Sequence, residues 1–199
     1  MSSFGVVLDA NVLFPASLRD TLLRTATAGL YRLQLTDDIL EEVRRNLVKN
    51  NMPEVNAQRL IDVIKNVYED AFVTRHDELI NVMRNQEKDR HVLAAAVKSG
   101  AQVIVTQNLK DFPQQALEPY DIEAQSPDDF LVHLLHLNKG LMAKILLEQA
   151  RDLRKPARTV SEVLDTLAQH VPTFAYLART LLHFEEQYPW TANKDKDMR

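Results

Sequence analysis

Close to the N-terminus an unbroken apolar run, Val6-Val7-Leu8, stops at a carboxylate, Asp9. Aliphatic residues without alternation mark a strand buried on both faces, which parallel sheets need and half-exposed antiparallel sheets do not. In open parallel α/β sheets, ligand sites lie at the carboxyl ends of the strands. Asp9 therefore marks a candidate site as well as a fold class. The plain alternative is a strand-end residue capping the next turn.

The rest of the first 125 residues keeps this rhythm. Phe4 to Leu8 reads as the first strand. A helix is expected from Pro15 to Ala28, with proline at its start and Gly29 past its end. Leu33-Gln34-Leu35-Thr36 reads as a second strand, and Asp37 or Asp38 then caps a helix to about Lys49. A further helix is expected from Val55 to Glu69, with a stripe of Leu60, Ile64 and Val67. Ala71-Phe72-Val73-Thr74 reads as a strand, Leu79 to Asn85 as a short helix, and Asp89 to Ser99 as a longer one closed by Gly100. Val103-Ile104-Val105-Thr106 is another buried strand, and Asp121-Ile122-Glu123 a weak edge strand. Strands alternating with helices predict an α/β fold of three layers, α/β/α, around a central parallel sheet.

At Ser126-Pro127-Asp128-Asp129 the pattern changes. An N-cap serine, proline at the first helical position and acids in the first turn start a helix. Only helical periodicity follows, over Pro127–Leu137, Leu141–Leu153, Val160–Val171 and Thr173–Glu185, with a capping box at Thr159 and Glu162. Phe130, Leu134, Ile145, Leu164, Leu167, Phe174, Leu177 and Leu181 read as core or partner-facing residues. The expected organisation is an α/β domain over 1–125, an all-helical C-terminal extension over 126–187, and a disordered tail over 188–199.

The chain has 199 residues and no cysteine, which removes disulfides and thiolate metal sites. No apolar stretch reaches membrane-spanning length and no leader is legible, so a cytoplasmic protein with no membrane partner is expected. The net charge of −4 argues against a general nucleic-acid-coating protein. Any nucleic-acid contact must use local basic patches.

Three more carboxylates fall where this fold could gather them around Asp9. Glu42 sits near the border of the apolar stripe Ile39, Leu40, Val43 and Leu47, whereas Glu41 points away from it. Asp89 opens a helix on the side of Val92, Leu93, Ala96 and Val97; it can act as an N-cap, as a site residue, or as both. Asp111 follows the strand Val103–Val105, and its plain alternative is a turn residue before Phe112-Pro113. Two like charges ~4 Å apart repel by about 4 kcal/mol at an effective dielectric near 20. Such a cluster needs a proton or a cation, and an all-oxygen set suits Mg²⁺ or Mn²⁺. Two such ions can activate water for phosphodiester hydrolysis.

The segments carrying these acids resemble, in order, the four signatures of PIN-domain ribonucleases. They are Val7-Leu8-Asp9-Ala10-Asn11-Val12-Leu13, Thr36 to Val43, Lys88 to Ala96, and Val105 to Phe112. Any one would be weak; four in order are specific. The resemblance implies a PIN-like domain whose catalytic and metal-holding residues are Asp9, Glu42, Asp89 and Asp111, supported by Asn11, Thr106 and Asn108. Many relatives carry an aspartate where this chain has Asn108, so the fourth acidic role passes to Asp111.

Within that family the chain is most similar to VapC-type toxins of bacterial toxin–antitoxin pairs, some of which carry a helical extension. This implies a Mg²⁺- or Mn²⁺-dependent endoribonuclease whose metal-activated water cleaves tRNA or another structured RNA, a cognate antitoxin protein as partner, and a homodimer. The extension could pack on the domain, contact the antitoxin or help to bind RNA.

Basic residues near the acids, Arg45, Arg84, Lys88, Arg90 and Lys110, are the candidate RNA contacts, together with Arg44, Lys49 and His91. Taken singly, each is better explained as part of a solvated helix face. Arg151, Arg154, Lys155 and Arg158 read as an exposed turn, and His133 with His136 as a polar helix face. His91 could assist a proton transfer. Two other function classes compete. One is a catalytically inactive fold kept for RNA or protein binding. The other is a phosphotransferase with Asp9 as nucleophile, against which Asn11 breaks an Asp-x-Asp pair and Gln107 replaces the lysine of a receiver domain.

Overall fold

The computed structural model of the chain describes residues 4–154 and 156–186. Lys155, the expected tail over 188–199 and the side chain of Leu181 lie outside the described residues. Four parallel strands form the sheet, β1 Gly5–Leu8, β2 Arg32–Gln34, β3 Val103–Val105 and β4 Glu123–Gln125, in the order β2-β1-β3-β4. All four residues of β1 and all three of β3 are buried. Leu8 pairs with Val105, so both central strands end at the same level and hand on to Asp9 and Thr106.

The helices of the first part are α1 Ala10–Leu13, α2 Ala16–Thr27, α3 Asp37–Lys49, α4 Glu54–Val67, α5 Asp77–Ile80, α6 Arg90–Ser99 and α7 Gln114–Leu117. Ala94, Ala95 and Ala96 of α6 are fully buried, and such small side chains let its backbone lie close on β1 and β3. Gly100 closes α6 at φ +64°, a left-handed C-cap that other residues adopt at a cost. Helices on both faces of the parallel sheet make the α/β/α arrangement expected above.

Several boundaries differ from expectation. The helix expected from Pro15 to Ala28 is α2, and a short helix that the sequence reading lacks, α1, precedes it directly after Asp9. The strand expected at Ala71–Thr74 is reduced to one bridge, Leu35 to Phe72, after a short 3₁₀ turn. The edge strand lies two residues later than expected. On α4 the buried stripe is Ala57, Ile61 and Ile64, while Val67 is exposed and Leu60 only half-buried. Neither Asp37 nor Asp38 caps α3. Thr36 does, its hydroxyl accepting from the Ile39 amide at 3.2 Å, while Asp38 reaches His76 Nε2 at 2.9 Å.

The extension folds into α8 Pro127–Leu137, α9 Lys139–Asp152, α10 Val160–Leu167 and α11 Pro172–Glu186. Ser126 caps α8, its hydroxyl accepting from the Asp129 amide, and Thr159 with Glu162 forms a complete capping box on α10. These helices pack on α2. Gln149, 2% exposed, accepts from the Thr21 hydroxyl at 2.8 Å and donates to the Ser17 carbonyl at 3.1 Å. Phe130 packs edge-on to Tyr31, ring centroids 5.2 Å apart, and also meets Phe4. Phe130, Leu134, Ile145, Leu164, Leu167 and Phe174 thus complete the core that the sheet begins. Among the described residues no single helix is long and apolar enough to cross a membrane. The bent pair α8–α9 passes on length and composition alone, but most of its apolar side chains, Phe130, Leu131, Leu134, Met142, Ile145 and Leu146 among them, are core.

Candidate active site

Asp9 leaves β1 in extended conformation and starts α1, so its side chain stands at the carboxyl edge of the sheet, 2% exposed. Its Oδ2 accepts from Thr106 Oγ1 at 2.7 Å and from Asn11 Nδ2 at 2.5 Å. Thr106 in turn accepts from Asn11 Nδ2 and from the Asn108 amide, each at 3.0 Å. One donor and two acceptors are all that a hydroxyl offers, so Thr106 is fully used. Asn11 Oδ1 accepts from the Gln107 amide at 3.0 Å. Asn11 and Thr106 therefore lock the two strand ends around Asp9. Burial raises the Asp9 pKa above the ordinary carboxylate value; the Thr106 bond pulls it back, and the charge of Glu42 raises it again.

Asp89 occupies the N-cap position of α6 yet makes no side-chain cap bond. Its Oδ2 is buried without a hydrogen-bond partner. Burial and then the charge of Asp9 raise its pKa. A carboxylate at a helix N-terminus that ignores the free amides is held for another partner.

Glu42 reaches in from α3, 33% exposed. It joins Asp9, Asp89, Asn11 and Asn108 in one cleft of about 680 Å³. Asp111 does not line this cleft. It sits in a 3₁₀ turn beside Asp89, 11% exposed, with Lys88 Nζ 3.0 Å from its Oδ2 and 3.5 Å from Asp89 Oδ2. The Lys88 ammonium holds the Asp111 carboxyl below the ordinary range. These contacts are ion pairs rather than directed hydrogen bonds, and Asp111 Oδ2 also stays without a hydrogen-bond partner.

Among the candidate RNA contacts, Arg45 and Lys88 line the cleft, as does Lys49. Arg84 and Lys110 are exposed outside it, and Arg90 is half-buried. Arg44 is committed elsewhere, to Glu41 at 2.6 Å and to Glu54, tying α3 to α4. His133 is exposed and meets Gln125 Oε1 at 3.1 Å. Asp38 carries no site reading from the sequence, yet it lines the cleft, as does His91, a candidate phosphate contact and proton-transfer aid. Asp38 lies one helical turn before Glu42, the spacing that puts two side chains on one face. His91 is two residues past Asp89, a weak signal by itself.

Among the described residues no three His, Asp or Glu side chains close on one point as a finished coordination sphere. The donor set nevertheless fits a hard divalent cation. Asp9, Glu42 and Asp89 supply anionic oxygens and Asn108 lines the same cleft. Burial raises the pKa of both Asp9 and Asp89, and Asp89 Oδ2 makes no hydrogen bond, with only the Lys88 ammonium at 3.5 Å to offset its charge.

Residues 5–110 match the PIN domain, and the chain belongs to the PIN-domain family. Residues 127–180 match the VapC50 C-terminal domain. The chain is 47% identical over 111 residues to a protein of Mycobacterium tuberculosis (strain ATCC 25618 / H37Rv) named "Putative ribonuclease VapC50". That alignment covers 56% of this chain and 66% of the relative, just under two thirds of its length. No solved structure matches the chain.

Proposed function

We propose that this chain is a divalent-metal-dependent endoribonuclease acting as the toxin of a toxin–antitoxin pair. The observation that carries the reading is the gathering of Asp9 and Asp89, two buried carboxylates, with Glu42 in one cleft. Both are buried, both hold their protons more tightly than ordinary carboxylates, and they share one cleft with Glu42. Membership of the PIN-domain family and likeness to a protein named as a ribonuclease support it.

In this reading Asp9, Glu42 and Asp89 hold Mg²⁺ or Mn²⁺, with Asn108 contributing through its carbonyl oxygen. A bound divalent cation there lowers the pKa of water and stabilises charge on a phosphodiester. Asn11 and Thr106 keep Asp9 in place. Asp111 acts through Lys88, whose ammonium it and Asp89 share. Arg45, Lys49 and Lys88 at the rim bind the flanking phosphates, which gives affinity but little sequence information. Arg84, Arg90 and Lys110 extend that surface beyond the cleft. The substrate is RNA, tRNA or another structured RNA, and a cognate antitoxin protein blocks the cleft.

Purified protein is expected to cut total RNA with Mn²⁺, leaving 5′-phosphate and 3′-hydroxyl ends, and to stop with EDTA or as Asp9→Asn. RNA binding that survives Asp9→Asn, without metal-dependent turnover in either protein, would instead establish an inactive binding module. Co-expression with the product of a neighbouring small gene tests the antitoxin, by relief of growth arrest.

A further inference from the structure

His91 stands in the cleft with no part in the chemistry above. Its Nδ1 lies 3.0 Å from the Lys88 carbonyl oxygen. A carbonyl only accepts, so Nδ1 carries the hydrogen and Nε2 presents a lone pair. That Nε2 is buried and has no hydrogen-bond partner. Glu42 Oε2 lies 3.9 Å from it, too far for a hydrogen bond. No hydrogen bond joins the two, in the cleft that also takes Asp9 and Asp89, and the neutral ring turns the Nε2 lone pair towards Glu42.

We propose that His91 Nε2 is a nitrogen ligand of the cation held beside Glu42, biasing the site towards Mn²⁺ over Mg²⁺. Ligand bonds of about 2.1 Å let one ion span two donors up to about 4.2 Å apart, and 3.9 Å falls within that reach. The backbone carbonyl on Nδ1 is the support that metal-bound imidazoles use to fix their tautomer and raise their basicity. Both ions favour oxygen ligands, but Mn²⁺, a transition-metal ion, accepts an imidazole nitrogen more readily than Mg²⁺, which dehydrates reluctantly. The consequence is a mixed nitrogen–oxygen site where Asp9, Glu42, Asp89 and Asn108 alone would make an all-oxygen one.

The inference rests on the reading of these carboxylates as a metal site, and the test separates the two. Wild type, Asp9→Asn, His91→Ala and His91→Gln are loaded with Mn²⁺ alone and examined by pulsed electron paramagnetic resonance. Mg²⁺ and Mn²⁺ affinities are measured by calorimetry. Wild type is expected to show nitrogen hyperfine coupling to bound Mn²⁺. His91→Ala and His91→Gln are expected to lose it and to bind Mn²⁺ about tenfold more weakly or worse, with Mg²⁺ affected less. Bound Mn²⁺ without nitrogen coupling in wild type, and binding lost in Asp9→Asn, overturns the role of His91 and leaves the metal site standing. No Mn²⁺ binding by wild type overturns both. The wild-type signal decides even if a variant fails to fold.

Discussion

Thr106 Oγ1 donates to Asp9 Oδ2 at 2.7 Å, joining the carboxyl ends of two neighbouring parallel strands through their side chains. The contact links the sheet to the site, because the register that pairs Leu8 with Val105 is what brings the two residues side by side.

Thr106→Val keeps the shape and removes the hydroxyl. Asp9 loses a donor, and the Asn108 amide and Asn11 lose an acceptor. Hydrogen bonds to charged groups contribute about 1.5–3 kcal/mol. Urea denaturation without metal should show a stability loss in that range, and RNA cleavage should fall with it. Thr106→Ser, which restores the hydroxyl, should recover most of both. A Thr106→Val protein as stable and active as wild type would remove Thr106 from the site.

Much of this arrangement was legible in the sequence, for reasons that are local. An apolar run that ends in Asp9 needs only its own residues to be read as a buried strand meeting a site. The Ser126-Pro127 helix start is equally local. What escaped depends on distant partners. Asp38 carries good capping chemistry but is drawn to His76 across a loop, which leaves the cap to Thr36. Ala71–Thr74 has strand composition, yet only Phe72 finds a bridge partner. Asn108 and Asp111 are three residues apart, and only the folded 3₁₀ turn decides that Asn108 faces the cleft while Asp111 faces Lys88. The role of α8 to α11 as a wall of the core, fixed by Gln149 on α2, was one of three open alternatives.

Asp89→Asn should raise thermal stability in EDTA at neutral pH while abolishing cleavage. The sign follows from linkage. The folded-state pKa of Asp89 lies above its reference value of 3.8. Below that reference value the group is protonated folded and unfolded, and contributes nothing. As pH rises from the reference value to the raised folded value, the unfolded chain releases its proton first and the native state is increasingly penalised. The advantage of Asp89→Asn should thus be absent in acid, grow through the carboxylate range and be complete at neutral pH. Scanning calorimetry over a pH series checks this. Added Mn²⁺ should reverse the order by stabilising wild type alone.

Gln149→Ala tests whether the extension and the sheet unfold together. The substitution removes an acceptor from Thr21 and a donor from Ser17, all at a buried contact between α9 and α2. Stranded buried groups cost about 1–3 kcal/mol. Phe130→Ala, which empties the space against Tyr31 and Phe4, should cost about 3–5 kcal/mol. Both variants should keep a single denaturation transition with a lower midpoint when followed by fluorescence and by circular dichroism. Two separated transitions would show that the helices are an independent unit.

Arg44 and Arg45 are adjacent in sequence and opposite in role, which offers a double dissociation. Arg44 is tied to Glu41 and Glu54 and bridges α3 to α4, whereas Arg45 has no ion-pair partner among the described residues and lines the cleft. RNA affinity is measured on the Asp9→Asn background, so that substrate is not consumed. There, Arg45→Ala should weaken binding and reduce the slope of log affinity against log salt by about one unit, because one phosphate contact is lost. It should leave the melting temperature unchanged. Arg44→Ala should lower the melting temperature and leave the salt slope alone. The reverse pattern would move the RNA path off this face of α3, and equal effects from both would reduce the pair to general surface charge.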